Sequence, residues 1–200
     1  MAAEEPRPQV RTSGPIVLAS RNDGKRREFE HLAAGTLQLE LLPEAAPAVE
    51  EDGDTYLANA LKKARSATRF TGQPALADDS GLEVDALDGA PGIFSARFGG
   101  PELDDRGRVE HLLAELGDAA QRTARFRCVL VLADGDQWIS AEGALEGEIG
   151  REPRGGAGFG YDPVFVASGF GGRTLAEIGA QEKNRISHRA TALRALLAQL

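Results

Sequence analysis

The sequence predicts a single α/β domain, and three observations carry that expectation. First, Pro15-Ile16-Val17-Leu18-Ala19 is a continuous apolar run, the pattern of a strand buried on both faces of a parallel sheet, and it passes through a polar loop into a helical stretch. Second, segments with helical spacing recur between strand-like runs along the chain. Third, residues 122–133 and 138–150 read as two long strands turned by Asp134 and Gly135, plausible as an antiparallel pair. Two hundred residues are enough for one domain, or one domain of two lobes, with a substantial core.

Composition narrows the function classes. Hydrophobic residues at 42% and charged residues at 27% are those of a soluble globular protein, and no apolar run is long enough to span a bilayer. A net charge of −8 argues against a nucleic-acid backbone as the main partner. It leaves room for a nucleotide, because a local basic pocket or a metal binds phosphates on an acidic protein. Cys128 is the only cysteine, so no intramolecular disulfide forms, which fits a reducing cytoplasm; it reads as a small core residue. His31, His111 and His188 lack zinc-type spacing. Residues 1–14 carry Glu4, Glu5, Pro6 and Pro8 without the apolar core of a signal peptide, and are read as a disordered tail.

After the first strand, Ser20-Arg21-Asn22-Asp23-Gly24-Lys25 enters a helix with Phe29, Leu32 and Ala33 that stops at Gly35. Such a loop is a common phosphate site, since the helix N-terminus offers free N–H groups and Lys25 adds a full charge. It lacks Walker-loop glycine spacing, and a plain strand-to-helix turn fits equally. Leu37, Leu39 and Leu41 alternate like a half-buried strand. Glu50-Glu51-Asp52 is either a solvated acidic run or, if it faces other carboxylates, part of a metal site. Residues 55–70 have the spacing of an amphipathic helix capped by Asp54 or Thr55, with Leu57, Ala60, Leu61, Ala64 and Ala67 inward. Asn59, Lys63 and Ser66 are expected on the opposite side, where Lys63 meets a phosphate or water.

Leu76-Ala77-Asp78-Asp79-Ser80-Gly81 carries two adjacent carboxylates. It reads as a strand delivering Asp78 and Asp79 to its end, with Gly81 allowing a tight turn or a ligand's close approach. Strand side chains alternate, so one aspartate can hold a hard cation while the other polarises a water; a solvated turn is the alternative. Arg97, within the Gly- and Pro-punctuated residues 89–100, is a candidate anion or base contact held by Ile93, Phe94 and Phe98. Val109, Leu112, Leu113 and Leu116 mark a further helix, stopped by Gly117. In the Gly-rich residues 154–163, Phe159 and Tyr161 are able to stack on a base. Thr174 and Glu177 have capping-box spacing and are expected to open a helix. Lys183, Arg185, His188 and Arg189 gather positive charge, as a site or a solvated face, ahead of a helix with Leu193, Leu196, Leu197 and Leu200.

Five motifs occur in one order: Ser20-x-Asn22-x-x-Lys25, Ala77-Asp78-Asp79-Ser80-Gly81, Gly92-x-x-Ser95-Ala96-Arg97, Phe159-Gly160-Tyr161-Asp162-Pro163 and Ser187-His188-Arg189. Together, over roughly residues 15–200, they resemble the non-canonical purine nucleoside triphosphate pyrophosphatase family, also called inosine triphosphatase or Ham1-like. The resemblance implies a two-lobed α/β fold with a long twisted mixed sheet, helices packed around it and a central active-site cleft. It implies a homodimer, and Mg²⁺-dependent hydrolysis of ITP, dITP and XTP to the monophosphate and pyrophosphate, keeping deaminated purines out of DNA and RNA. Matching positions place Ser20, Asn22, Lys25 and Lys63 at the phosphates, with Arg21, Asp23, Gly24, Ser80 and Arg97 also contacting substrate. Phe159, Gly160, Tyr161, Asp162, Lys183, His188 and Arg189 match the base site. Glu51, or its neighbour Glu50, and Asp79 match the metal ligands. Asp79 is also expected to act as base or orient the water, with Asp78 helping; the division of roles between adjacent carboxylates stays open.

Hypoxanthine and xanthine carry a 6-keto acceptor where adenine has an amino donor, so donors aimed there discriminate strongly. Guanine shares that keto group and differs from hypoxanthine by its 2-amino group, and these residues give no reason to reject it. Phe94 and Phe98 stand where relatives often carry tyrosine. Two other readings remain: a Maf-like pyrophosphatase acting on modified pyrimidine or other nucleotides, and a catalytically silent purine-nucleotide sensor.

Overall fold

Ile16–Leu18 form β1, buried on both faces as the unbroken apolar run requires. The chain turns at Asn22, whose side-chain oxygen accepts the Lys25 N–H at 2.9 Å and caps helix α1, Asp23–Ala33. β2, Leu39–Leu41, pairs parallel with β1 on one side. Helix α2, Tyr56–Thr71, then delivers β3, Ala75–Val84, parallel to β1 on the other. Two 3₁₀ turns, Asp85–Leu87 and Gly92–Arg97, precede helix α3, Asp105–Leu116. The long antiparallel pair follows as β4, Thr123–Asp134, and β5, Gln137–Ile149, with β6, Phe165–Ala167, on β5's far edge. Helices α4, Ala180–Ile186, and α5, His188–Leu197, complete the chain.

The computed structural model describes residues 10–200. Its six-stranded sheet has the order β2-β1-β3-β4-β5-β6, parallel through β3 and antiparallel beyond, so the expected mixed α/β sheet is present and open. Both edge strands are three residues long, which leaves little edge for another chain to pair with. The tail reading of residues 1–14 falls mostly outside the described residues. At its described end, Val10 packs on the core and Arg11 pairs with Asp134 at 2.6 Å.

The period-2 alternation of β3 and β4 builds cores on both faces of the sheet. Leu76, Leu130 and Leu132 join Ile16, Leu18 and Phe29 under α5, which adds Leu193 and Leu196. Ala75, Ala77, Val131 and Ala133 face the other way and meet Ala60, Ala64 and Ala67 of α2. Further along the same strands, Leu82, Val84 and Phe126 pack with Leu112, Phe165 and Leu175 in a second lobe. Each fully buried leucine contributes about 1.5–3 kcal/mol, so packing at both ends holds the strands. Residues 78–80 lie between the two lobes' cores.

Five expectations are corrected. β3 does not end at the aspartates but continues to Val84, because Leu82 and Val84 have a core of their own to enter. Gly81 makes no turn: the Gly92 carbonyl, Ser95 Oγ and Tyr56 hydroxyl crowd the space a Cβ would need, so the close approach is by the protein itself. Asn59 is not on α2's solvent side but fully buried beside Ala60. Thr174 and Glu177 do form half a capping box, with the Thr174 N–H donating to Glu177 at 2.8 Å, but only one turn follows and α4 starts at Ala180. Leu200 is exposed, beyond the end of α5.

Candidate active site

Alternation sends the two central aspartates to different partners. Asp78, 1% exposed, meets Lys25 Nζ of α1 at 2.8 Å and Arg189 Nε of α5 at 3.4 Å, and the Ser80 hydroxyl donates to it at 3.0 Å. Asp79 faces α2, where Asn59 Nδ2 donates at 3.1 Å and Lys63 Nζ stands at 3.4 Å. Lys63 is shared with Glu51, 3.1 Å away. Burial alone would raise the Asp78 carboxyl, but Lys25 and Arg189, then Lys63, outweigh it and hold it well below the usual carboxylate range. For Asp79 burial wins: with the Glu51 charge it pushes the carboxyl up to about 6, against the pull of Lys63 and Lys25. Burial likewise pushes Glu51 up, but Lys63 overrides it and holds Glu51 low.

Two cavities meet at this point. One, about 280 Å³, is lined by Ser20, Arg21, Asn22, Lys25, Glu51, Lys63, Asp79 and Ser80. The other, about 180 Å³, is lined by Phe159, Gly160, Tyr161, Asp162, Lys183, His188 and Arg189, and by Asp105 and Arg108 of α3. Asn22, Lys25 and Ser80 border both, so the two form one continuous cleft. The first part is bordered by cations and the N-terminus of α1, a setting for phosphates.

The second part is built on buried charge. Glu28 of α1 bridges Lys183 at 2.6 Å and Arg189 at 2.8 Å. Asp162 takes Lys183 at 2.5 Å and the Phe159 N–H at 2.9 Å. Burial would raise Glu28, yet Arg189 and Lys183 outweigh it and keep it ionised. His188 stacks on Phe126 at 4.8 Å, and neither of its ring nitrogens has a hydrogen-bond partner among the described residues. Burial, then Arg189 and Lys183, holds it neutral, so one nitrogen donates and the other accepts. The Phe159 ring lies 4.7 Å from Lys183 Nζ and 5.4 Å from Arg189 Cζ, and packs where a Cβ on Gly24 would stand. Gly143 lets α5 lie directly on β5, because the His188 carbonyl and Ala192 N–H fill its side-chain position.

Not every expected residue lines the cleft. Asp78 lies beneath it, anchoring Lys25 and Arg189. Asp23 pairs with Arg26 at the surface, and Gly24 serves Phe159. Glu50 borders a separate groove with Lys62 and Phe70, so of the two glutamates Glu51 reaches the site. Arg97 is exposed, stacked on Phe94 and donating to the Glu51 carbonyl at 3.0 Å. Arg185 is exposed as well. Tyr161 borders the cleft from within the second core, its hydroxyl donating to the Ser95 carbonyl at 2.9 Å.

Sequence reasoning missed Glu28, Asn59, Asp105 and Arg108. Helical spacing held a signal for two of them. Glu28 is three residues from Lys25, and Asn59 four from Lys63, so each shares a face with a residue already singled out. For Asp105 and Arg108 no signal existed, because only packing brings α3 to this cleft.

The Ham1 family model matches residues 16–199. A dITP/XTP pyrophosphatase of Thioalkalivibrio sulfidiphilus is 50% identical over 193 residues, covering 92% of this chain and 97% of that protein. One from Methylococcus capsulatus is 48% identical, covering 92% and 95%. Among solved structures, a HAM1 protein from Coxiella burnetii superposes with a TM-score of 0.83 at 44% identity, covering 92% and 96%. The Staphylococcus aureus Ham1 protein gives 0.82 at 37%, covering 92% and 97%. With a family match across nearly the whole chain and relatives at half identity, this protein belongs to the Ham1 family.

Proposed function

We propose that this protein hydrolyses non-canonical purine nucleoside triphosphates, dITP, ITP and XTP, between the α and β phosphates, releasing the monophosphate and pyrophosphate. One observation carries the reading: a cation-lined cavity holding the Glu51–Asp79 pair opens directly into a second cavity lined by Phe159, Lys183, His188, Arg189 and Arg108. The first suits a triphosphate, the second a keto-purine. The relatives' names support the same substrate class.

Lys25, Lys63, the Ser20 hydroxyl and the N-terminus of α1 bind and orient the phosphates. Asp79, pushed up to about 6, takes the proton of the attacking water. Asp78 stays ionised and acts through Lys25 and Arg189, which it positions. Lys183 and Arg189 meet the base's 6-keto oxygen, Phe159 packs beside the ring, and adenine's amino group would face those donors instead of an acceptor.

The residues fit a divalent ion. Glu51 and Asp79 converge on Lys63 Nζ, which occupies the position of a cation between two carboxylates. No group of three or more His, Cys, Asp or Glu converges among the described residues, and magnesium commonly takes one or two carboxylates plus substrate phosphates. Bound there, it would neutralise phosphoryl charge and lower the pKa of water.

The homodimer and the cytoplasmic setting belong to the same proposal, supported by the family resemblance and the single buried cysteine. No described helix is long and apolar enough to cross a membrane. Light scattering on the purified protein tests the dimer.

Pyrophosphate release from dITP, XTP, dGTP, dATP and TTP, each with Mg²⁺ and with EDTA, tests the reaction. Metal-dependent release confined to dITP and XTP is expected. Preference for a modified pyrimidine triphosphate would favour the Maf-like reading, and binding of dITP without turnover the sensor.

A further inference from the structure

Arg108 has no part in the mechanism above, yet α3 brings it to the wall of the base cavity. Its side chain is 16% exposed and its Nε is buried with no hydrogen-bond partner among the described residues. Its ion pair with Asp105 is loose, 3.6 Å from Nη1 to Oδ1, beyond hydrogen-bonding distance. Asp105 in turn accepts the Gly160 N–H at 2.7 Å, which ties the pair to the segment carrying Phe159. A buried guanidinium N–H without an acceptor is unfavourable until a ligand supplies one.

The cavity's other polar groups show which ligand group would do so. Asp162 Oδ2 is taken by Lys183 and the Phe159 N–H, Asp105 Oδ2 by Gly160, and the Tyr161 hydroxyl is spent on Ser95. Neutral His188 leaves one accepting nitrogen. The N1–H common to hypoxanthine, xanthine and guanine suffices to use it. What remains is the buried Arg108 Nε, a donor without a partner among the described residues, and such a donor asks for a carbonyl oxygen. Xanthine and guanine share the 6-keto group and differ at position 2, an acceptor in xanthine and an amino donor in guanine.

We propose that Arg108 is a specificity-determining residue of the base cavity, whose guanidinium donates to the 2-keto oxygen of xanthine and disfavours the 2-amino group of guanine, so that xanthine is preferred to guanine. The inference rests on the pyrophosphatase reading and supplies the rejection of guanine that the sequence left without a cause.

The test compares kcat/KM for XTP, ITP and GTP in the full-length wild type, Arg108→Gln and Arg108→Lys. The XTP-to-GTP ratio is expected to fall at least about tenfold in Arg108→Gln, the scale of a lost charged hydrogen bond, while ITP turnover stays within a few-fold. Arg108→Lys, which keeps the charge without the planar fork, is expected to be intermediate and provides the comparison should the glutamine variant fold poorly. An XTP-to-GTP ratio unchanged in active variants overturns the inference alone. Absence of pyrophosphate release from all three nucleotides in the wild type overturns the pyrophosphatase reading and takes the inference with it.

Discussion

Asp78 and Asp79 are adjacent in the chain but face different elements: Asp78 meets Lys25 of α1 at 2.8 Å, and Asp79 meets Asn59 of α2 at 3.1 Å. Strand alternation gives one motif two environments, and the environments differ in sign of effect. Cations dominate around Asp78, and burial dominates around Asp79.

Asp79→Asn is therefore expected to lower kcat by about 10²–10⁴-fold, the usual worth of a positioned base, with the thermal midpoint little changed. The charge removed is one that burial already disfavours. Near wild-type turnover in the variant would take Asp79 out of the mechanism.

Asp78→Asn should do the opposite first and unfold more easily. It leaves Lys25 and Arg189 without their shared carboxylate in a buried site, a loss of about 3–5 kcal/mol. Urea denaturation measures it, and a midpoint equal to that of the wild type would show that Glu28 and Ser80 suffice for Arg189.

Lys25→Ala is expected to raise KM for the triphosphate more than it lowers kcat, because the lysine meets bound and reacting phosphates alike. An unchanged KM would remove Lys25 from the phosphate site.

The contribution of His188 to stability should fall as pH drops through the histidine range. Burial holds His188 neutral in the folded state, well below 6.5, while the unfolded chain protonates near 6.5. The unfolded state thus binds the extra proton. The stability contribution is complete above about pH 6.5 and shrinks below it, by up to roughly 1.4 kcal/mol per pH unit. Between pH 7.5 and 5.5 the thermal midpoint of the wild type should fall relative to that of His188→Gln. In the variant only the opposing gain from Asp79, raised to about 6 in the folded state, remains. Parallel slopes would assign the effect elsewhere.

Gly143→Ala should loosen the base cavity from behind. A methyl group there meets the His188 carbonyl and the Ala192 N–H, so α5 must shift away from β5, at about 1–3 kcal/mol. Because α5 carries His188 and Arg189, discrimination between ITP and ATP should weaken along with stability. A variant with unaltered stability and selectivity would mean the backbone accommodates the methyl group locally.

Sequence alone determined the parts that depend on local pattern. The apolar run of β1, a cap for α2 at Asp54 or Thr55 (Thr55 in the structure), the helical stripe of α2 and the turn at Asp134 and Gly135 are all short-range statements, and the elements stand where they were expected. The order of five motifs pointed to the family. The positive cluster at Lys183, His188 and Arg189 proved to be buried, though its composition suited a solvated face equally well.

Only the tertiary structure decided how these pieces divide the work. That β3 runs on past its aspartates depends on a second core awaiting Leu82 and Val84, and that Glu51 rather than Glu50 enters the cleft depends on a loop's path. Glu28 gains its place from two cations about 160 residues away in the chain, and Arg108 faces the base cavity because α3 packs on the second lobe. Local spacing sets which way a side chain leaves its own element. What it then meets depends on contacts between elements far apart in sequence, and burial and charge at those contacts set the chemistry of each group.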